Sequence, residues 1–174
     1  MLQIIGILVS FLLTILIGGR IAQARQQDSW IAQQRFSGQE KEYFDLKNLC
    51  DEIAAALGSR IYAMRRVTLQ LAAYAQHGKF DKSSITEYRE AIKTWNQNLS
   101  SYYVRLSQLK LSRYRYRLES SLHNPMKNQS NAIDEFIQKM EQGLPISGLR
   151  YITTKLDEIN NSSLEFNESL LGKL

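Results

Sequence analysis

Residues 84–109 read SITEYREAIKTWNQNLSSYYVRLSQL. The apolar side chains Ile85, Tyr88, Ile92, Trp95, Leu99, Tyr102, Leu106 and Leu109 are separated alternately by three and four residues. That spacing draws one seam along a supercoiled helix. The stretch holds no glycine or proline. Ser84 with Glu87 three residues later has the form of a capping box, which puts the helix start there. The helix is expected to continue to about His123, where Asn124-Pro125 breaks it.

Upstream of this stretch, Leu46, Leu49, Ile53, Leu57, Ile61, Met64, Thr68, Leu71 and Ala75 form a second stripe in steps of three and four. They predict a helix over about 39–76, roughly 57 Å long at 1.5 Å per residue. Ala54, Ala55, Ala56, Gly58 and Ser59 make a small-residue patch on it. Gly58 costs the helix about 1 kcal/mol, which points to a packing role. His77-Gly78-Lys79-Phe80-Asp81 is the turn between the two helices, with Gly78 as its C-cap. Ser37-Gly38-Gln39-Glu40 reads as a joint or as a further capping box.

Downstream, Ile133, Phe136, Ile137 and Met140 share one face of a third helix, which stops at Gly143-Leu144-Pro145. Ser147 is placed to cap a last helix. Leu149, Ile152, Leu156, Ile159, Ser163, Phe166 and Leu170 form its stripe. No stretch has a strand period, and no internal repeat is present. A short connection makes the two long helices an antiparallel hairpin in which paired residues sum to about 160. His123 then falls beside the start of the first long helix. The third helix runs outward and the last returns. Two shorter helices would leave the hairpin tip, around Tyr74 to Tyr88, projecting or contacting a partner.

Residues 1–19 contain no charged side chain. Nineteen helical residues span about 28 Å, close to the ~30 Å hydrocarbon core of a bilayer. They read as a transmembrane helix. The alternative is a cleaved signal peptide, for which Ala22-Gln23-Ala24 has the small-x-small form. Against it, no Lys or Arg precedes the run, and Arg20 falls between the run and that site. Arg20, Arg25 and Arg35 follow the span with only Asp28 opposing. The positive-inside rule therefore puts the N-terminus outside and the body in the cytoplasm. Gly6, Ser10, Thr14 and Gly18 recur every fourth residue, a stripe of the kind that lets membrane helices pair closely. Frequent small residues in membrane helices, or a pore lining, are the competing readings. The expected fold class is all-α: a transmembrane helix (1–19), a juxtamembrane helical linker (20–37) and a four-helix bundle (38–174).

The chain is 174 residues long, enough for one modest core. Two prolines and nine glycines are too few for a sandwich or barrel with a turn every ten residues or so. The 22 Lys and Arg against 17 Asp and Glu give a net charge of +5. The basic excess concentrates in Lys110, Arg113, Arg115 and Arg117, with tyrosines between. Such a run suits a solvated or intrabundle-paired face, an anionic lipid surface, or nucleic acid or an acidic protein.

One Cys excludes an intrachain disulfide framework and any multi-cysteine metal site. There is no Gly-rich phosphate loop, no CxxC and no HExxH. Glu119 and His123 are four apart, and neither Glu-x-x-His unit of a di-iron bundle exists. Cys50 adjoins the seam as a small core residue, and His77 sits at a turn. Asp51-Glu52, Asp134-Glu135 and Asp157-Glu158 are neighbours about 100° apart on a helix, poorly placed for acid–base work. Ser59-Arg60 with Arg65-Arg66 is one polar cluster beside small residues and could wall a pocket. Tyr88 and Tyr102 lie on the seam, each hydroxyl needing a partner. No catalytic residue, metal site or cofactor is expected, and the chain does not read as an enzyme.

Ser59-Arg60-Ile61-Tyr62 with Arg65-Arg66, and Trp95-Asn96-Gln97-Asn98-Leu99, resemble a group of small bacterial single-pass membrane proteins with a helical cytoplasmic body. A Trp-containing linker, here Trp30, accompanies them in that group. The resemblance implies architecture and bacterial origin, and carries no activity or functional residue with it. Together these features suggest a helical scaffold or sensor at the inner membrane. It would act through protein contacts with itself and with a protein partner. An oligomerising effector that perturbs the bilayer, and a tethered nucleic-acid or anionic-lipid binder, are the alternatives.

Overall fold

The computed structural model describes the backbone of residues 2–173 and the side chains of residues 26–173 other than Asp28. The span at 1–19, its Gly6, Ser10, Thr14 and Gly18 stripe, and the Ala22-Gln23-Ala24 site lie outside the described side chains. Among the described residues no helix is long and apolar enough to cross a membrane.

The helices are α1 (Leu2–His77), α2 (Ser83–Gln108), α3 (Ser112–Arg117), a π-helical turn (Leu118–His123), α4 (Asn124–Glu141) and α5 (Leu149–Leu171). The chain divides into two compact units, Met1–Phe44 and Asp45–Leu174. In the first unit every described side chain is exposed. Ser37 and Gly38 lie inside α1, where the Ser37 hydroxyl bonds back to the Gln34 carbonyl at 3.0 Å. The stretch is therefore neither a joint nor a cap.

The second unit is an all-α, four-helix arrangement. α1 packs on α2 and on α5, and its stripe from Leu46 to Leu71 is buried. Each such aliphatic side chain contributes about 1.5–3 kcal/mol on burial. α1 and α2 are antiparallel: Arg66 pairs with Glu87, and Glu52 with Arg105. α4 runs alongside α1 in the same direction, with Arg60 bonded to Ser130 and Tyr74 to the Met140 carbonyl. α5 returns, bringing Ser169 to Tyr114.

The second long helix does not reach His123. α2 ends at Gln108. Lys110 adopts a left-handed φ of 59°, Leu111 N–H bonds the Leu106 carbonyl at 2.8 Å, and Lys110 N–H bonds the Ser107 carbonyl at 3.0 Å. These are the two bonds of a Schellman stop, built on lysine where glycine is usual. The chain then reverses, and residues 112–141 form one helical run through α3, the π turn and α4.

Asn124-Pro125 does not break that run. Pro125 has no N–H to give, and in a regular α-helix its ring would collide with the carbonyl four residues back. The π turn widens the helix at that point, with Asn124 N–H bonded to the Glu119 carbonyl five residues earlier. His123 consequently sits level with Trp95, not at the start of the first helix. The longer run reaches the flanks of the hairpin tip, while the turn itself, from Gln76 to Ser83, stays exposed apart from the half-buried Phe80. Tyr88 is fully buried, and the α4–α5 connection lies against Tyr74.

Local stops follow the glycines. Gly78 (φ 66°) and Gly143 (φ 67°) end α1 and α4 as expected. The caps differ. Asp81, not Ser84, receives Ser83 N–H at 2.9 Å, while Ser84 is buried and Glu87 is engaged by Arg66. Gly148 (φ 89°), not Ser147, precedes α5. Gly58 has no packing role, because a Cβ there would meet nothing within 4 Å.

Candidate functional site

Leu57 three residues before and Met64 four residues after place Arg60 on the buried stripe of α1. It is 2% exposed. Its Nη2 donates to Ser130 Oγ at 3.1 Å, and Ser130 Oγ donates in turn to the Met126 carbonyl at 2.9 Å. The guanidinium carbon stands 5.9 Å from the centre of the Trp95 ring, in cation–π range. Nε and Nη1 have no hydrogen-bond partner, and Arg60 forms no ion pair among the described residues. Burial lowers its pKa to about 10, so the charge is retained at neutral pH. An unpaired buried charge costs several kcal/mol.

Three side chains frame this charge. The Tyr88 hydroxyl donates to the Ser130 carbonyl at 2.9 Å, fixing α2 against α4. Trp95 Nε1 donates to His123 Nδ1 at 3.0 Å, with the two rings nearly parallel. That bond requires an unprotonated Nδ1 and leaves Nε2 carrying the proton. Burial first, then the charges of Arg60 and Lys127, hold the His123 pKa below its ordinary value, with Glu119 opposing.

A cavity of about 460 Å³ opens over the cluster. Arg60, His123, Lys127, Ser130, Asn96 and Asn131 supply its polar wall, Ile92 and Leu99 its apolar wall, and Asp134 its single carboxylate. Burial pushes the Asp134 carboxyl above the usual range. The wall thus brings two cationic groups, Arg60 and Lys127, together with neutral polar groups and one carboxylate.

The polar cluster read in the sequence separates. Arg65 pairs with Asp157 at 2.7 Å and Arg66 with Glu87 and with Asp81 at 3.4 Å, all at the surface. Only Arg60 turns inward. Of the basic run, Lys110 forms the turn after α2 and Arg113 is exposed on α3. Arg115 lies over Tyr103 at 5.6 Å. Arg117 lies over Tyr114 and donates to Ser169 Oγ at 3.1 Å.

Cys50 is buried, and burial followed by Asp51 raises its thiol to about 11. Among the described residues no three His, Cys, Asp or Glu side chains converge as metal ligands would. On the described part of the first unit, Trp30, Phe36, Tyr43 and Phe44 stand 45–68% exposed on α1. Trp30 and Phe44 are two heptads apart and Phe36 and Tyr43 one, a period that sequence reading of the linker passed over. Comparison with protein-family models, with curated proteins and with solved structures returns no match for the chain.

Proposed function

We propose that this chain is a membrane-anchored, non-enzymatic helical scaffold or sensor that works by protein contacts, the first of them with a second copy of itself. The reading places it at a bacterial inner membrane, N-terminus outside and helical body in the cytoplasm. The observation that carries it is the exposure of Trp30, Phe36, Tyr43 and Phe44, which form two columns of seven-residue period (Trp30 with Phe44, Phe36 with Tyr43) on a stretch of α1 whose described side chains up to Phe44 are all exposed. Aromatic side chains are enriched where proteins meet. A repeat of seven is the register in which two parallel copies of one helix pack together. The small-residue stripe at Gly6, Ser10, Thr14 and Gly18 would continue the same pairing inside the bilayer.

The test is a photo-crosslinking amino acid in place of Phe36, irradiated in bacteria that make the full chain. An adduct at twice the chain mass, lost when Trp30 and Phe44 are both changed to Ser, is the expected result. An adduct only with another protein would keep the contact face and remove the self-pairing. No adduct at Phe36 or Tyr43 would remove both.

A further inference from the structure

We propose that Glu40 sets the strength and the partner choice of the α1 pairing: a parallel seam brings the Glu40 carboxylates of two copies face to face, so the self-pair is held weak and a cation opposite Glu40 tightens it. This rests on the pairing proposed above and adds what regulates it.

The aromatic face has a charge at its centre. Glu40 stands four residues after Phe36, three before Tyr43 and four before Phe44 on α1, so it neighbours all three rings along the helix surface. At about 100° per residue it falls between the Phe36–Tyr43 column and the Trp30–Phe44 column. It lies on the seam whichever column leads. Gln26, Trp30, Gln33, Ser37, Glu40 and Phe44 alternate in steps of four and three, and so do Gln33, Phe36, Glu40 and Tyr43. The Glu40 side chain is exposed and forms no ion pair among the described residues. The residues three and four places away on either side are Ser37, Phe36, Tyr43 and Phe44, so its own helix supplies no cation to offset it.

In a parallel, in-register pair each seam residue meets its own copy. Ring then meets ring. Two Gln33 amides can exchange hydrogen bonds, since each carries donors and an acceptor. Two Glu40 carboxylates have acceptors only, and like charges placed opposite each other repel. Rings closing around them exclude the water that would otherwise weaken that repulsion. Of the seam residues from Gln26 to Phe44, Glu40 alone is opposed by its own copy. A polar residue on such a seam lowers stability while selecting register and partner. The partner it selects is a helix that carries Lys or Arg at this level.

The experiment places the photo-crosslinking amino acid at Phe36 in full chains made at low level in bacteria, with each adduct measured relative to unreacted chain. Glu40→Gln should raise the self-adduct about tenfold, because an amide pair replaces the repulsion. Glu40→Lys alone keeps like charges opposite each other and should not raise it. When unaltered and Glu40→Lys chains, told apart by a short tag, are made together, the mixed adduct should exceed each self-adduct by about tenfold, beyond the ratio of random pairing. Glu40 is exposed, so these changes leave the folded body intact. The proposal is overturned if Glu40→Gln leaves the yield unchanged, or if the three adducts form in the random ratio. Self-adducts in those cases would leave the pairing itself standing. No adduct from any chain, with the crosslinker at Phe36 or at Tyr43, would remove the pairing and this role of Glu40 with it.

Discussion

Trp95 Nε1 donates to His123 Nδ1 at 3.0 Å across the middle of the helical body, joining α2 to the π turn. The bond exists only while Nδ1 is unprotonated. Arg60 from α1, Lys127 from α4 and the surrounding burial all oppose protonation, and Glu119 alone favours it. The folded chain therefore binds this proton less readily than the unfolded chain. The stabilisation is fully present above the unfolded imidazole value of about 6.5 and is lost as pH falls from there toward the folded value. The urea midpoint should drop between pH 7.5 and pH 5.5. His123→Gln, which keeps an acceptor for Trp95, should flatten that drop. An equal drop in the variant would show that His123 is not the group responsible.

Lys110 is the non-glycine residue of the described chain with positive φ, at 59°. A left-handed residue with a Cβ costs about 1–2 kcal/mol, and glycine carries no such penalty. Lys110→Gly should therefore stabilise the chain by about 1 kcal/mol, after the extra freedom of glycine in the unfolded state is deducted. Lys110→Ala keeps the Cβ and should gain nothing. If both variants gained equally, relief of basic charge would be the cause and not the backbone.

Gly58 sits in the interior of α1, and a methyl group there would contact nothing within 4 Å. Gly58→Ala should raise stability by about 0.5–1 kcal/mol through helix propensity alone. That corresponds to a Tm increase of about 1–4 °C in a chain of this size. A lower Tm would mean that this exposed face of α1 is covered by another molecule in the purified protein.

The seams were legible because helical periodicity is written in long runs. The stripe from Leu46 to Leu71 and the α5 stripe from Ile152 to Leu170 are buried nearly residue for residue. The clearest heptad was the least complete in practice. Tyr88, Trp95, Tyr102 and Leu106 are buried, but Ile85, Ile92, Leu99 and Leu109, on the other edge of the seam, are only half-buried. The sequence concealed the chain reversal at Leu109-Lys110-Leu111. A stop normally announces itself with glycine, and here lysine takes the left-handed position while Leu106 and Leu111 close the turn. It also suggested a break at Pro125 that the π turn absorbs. The reversal and the π turn together bring His123 level with Trp95 and beside Arg60. The signal for Arg60 was present all along: a charged residue standing in the Ile53, Leu57, Met64 phase, where an apolar one belongs.

Burial of Cys50 makes a topology measurement possible without removing it. The thiol is 2% exposed and shifted up to about 11, so a membrane-impermeant maleimide should leave it unmodified in the folded chain. Gly78 is a poor place for a reporter cysteine, since its φ of 66° would strain any side chain. Lys79 is exposed in the same turn and carries no such demand. With Lys79→Cys in intact bacteria, the orientation read from Arg20, Arg25 and Arg35 predicts labelling only after lysis, on a chain that stays in the membrane through carbonate extraction. Labelling before lysis would put the helical body outside the inner membrane. If that chain had also lost its first 24 residues, residues 1–19 would be a cleaved signal peptide. Self-pairing would then rest on Trp30, Phe36, Tyr43 and Phe44 alone.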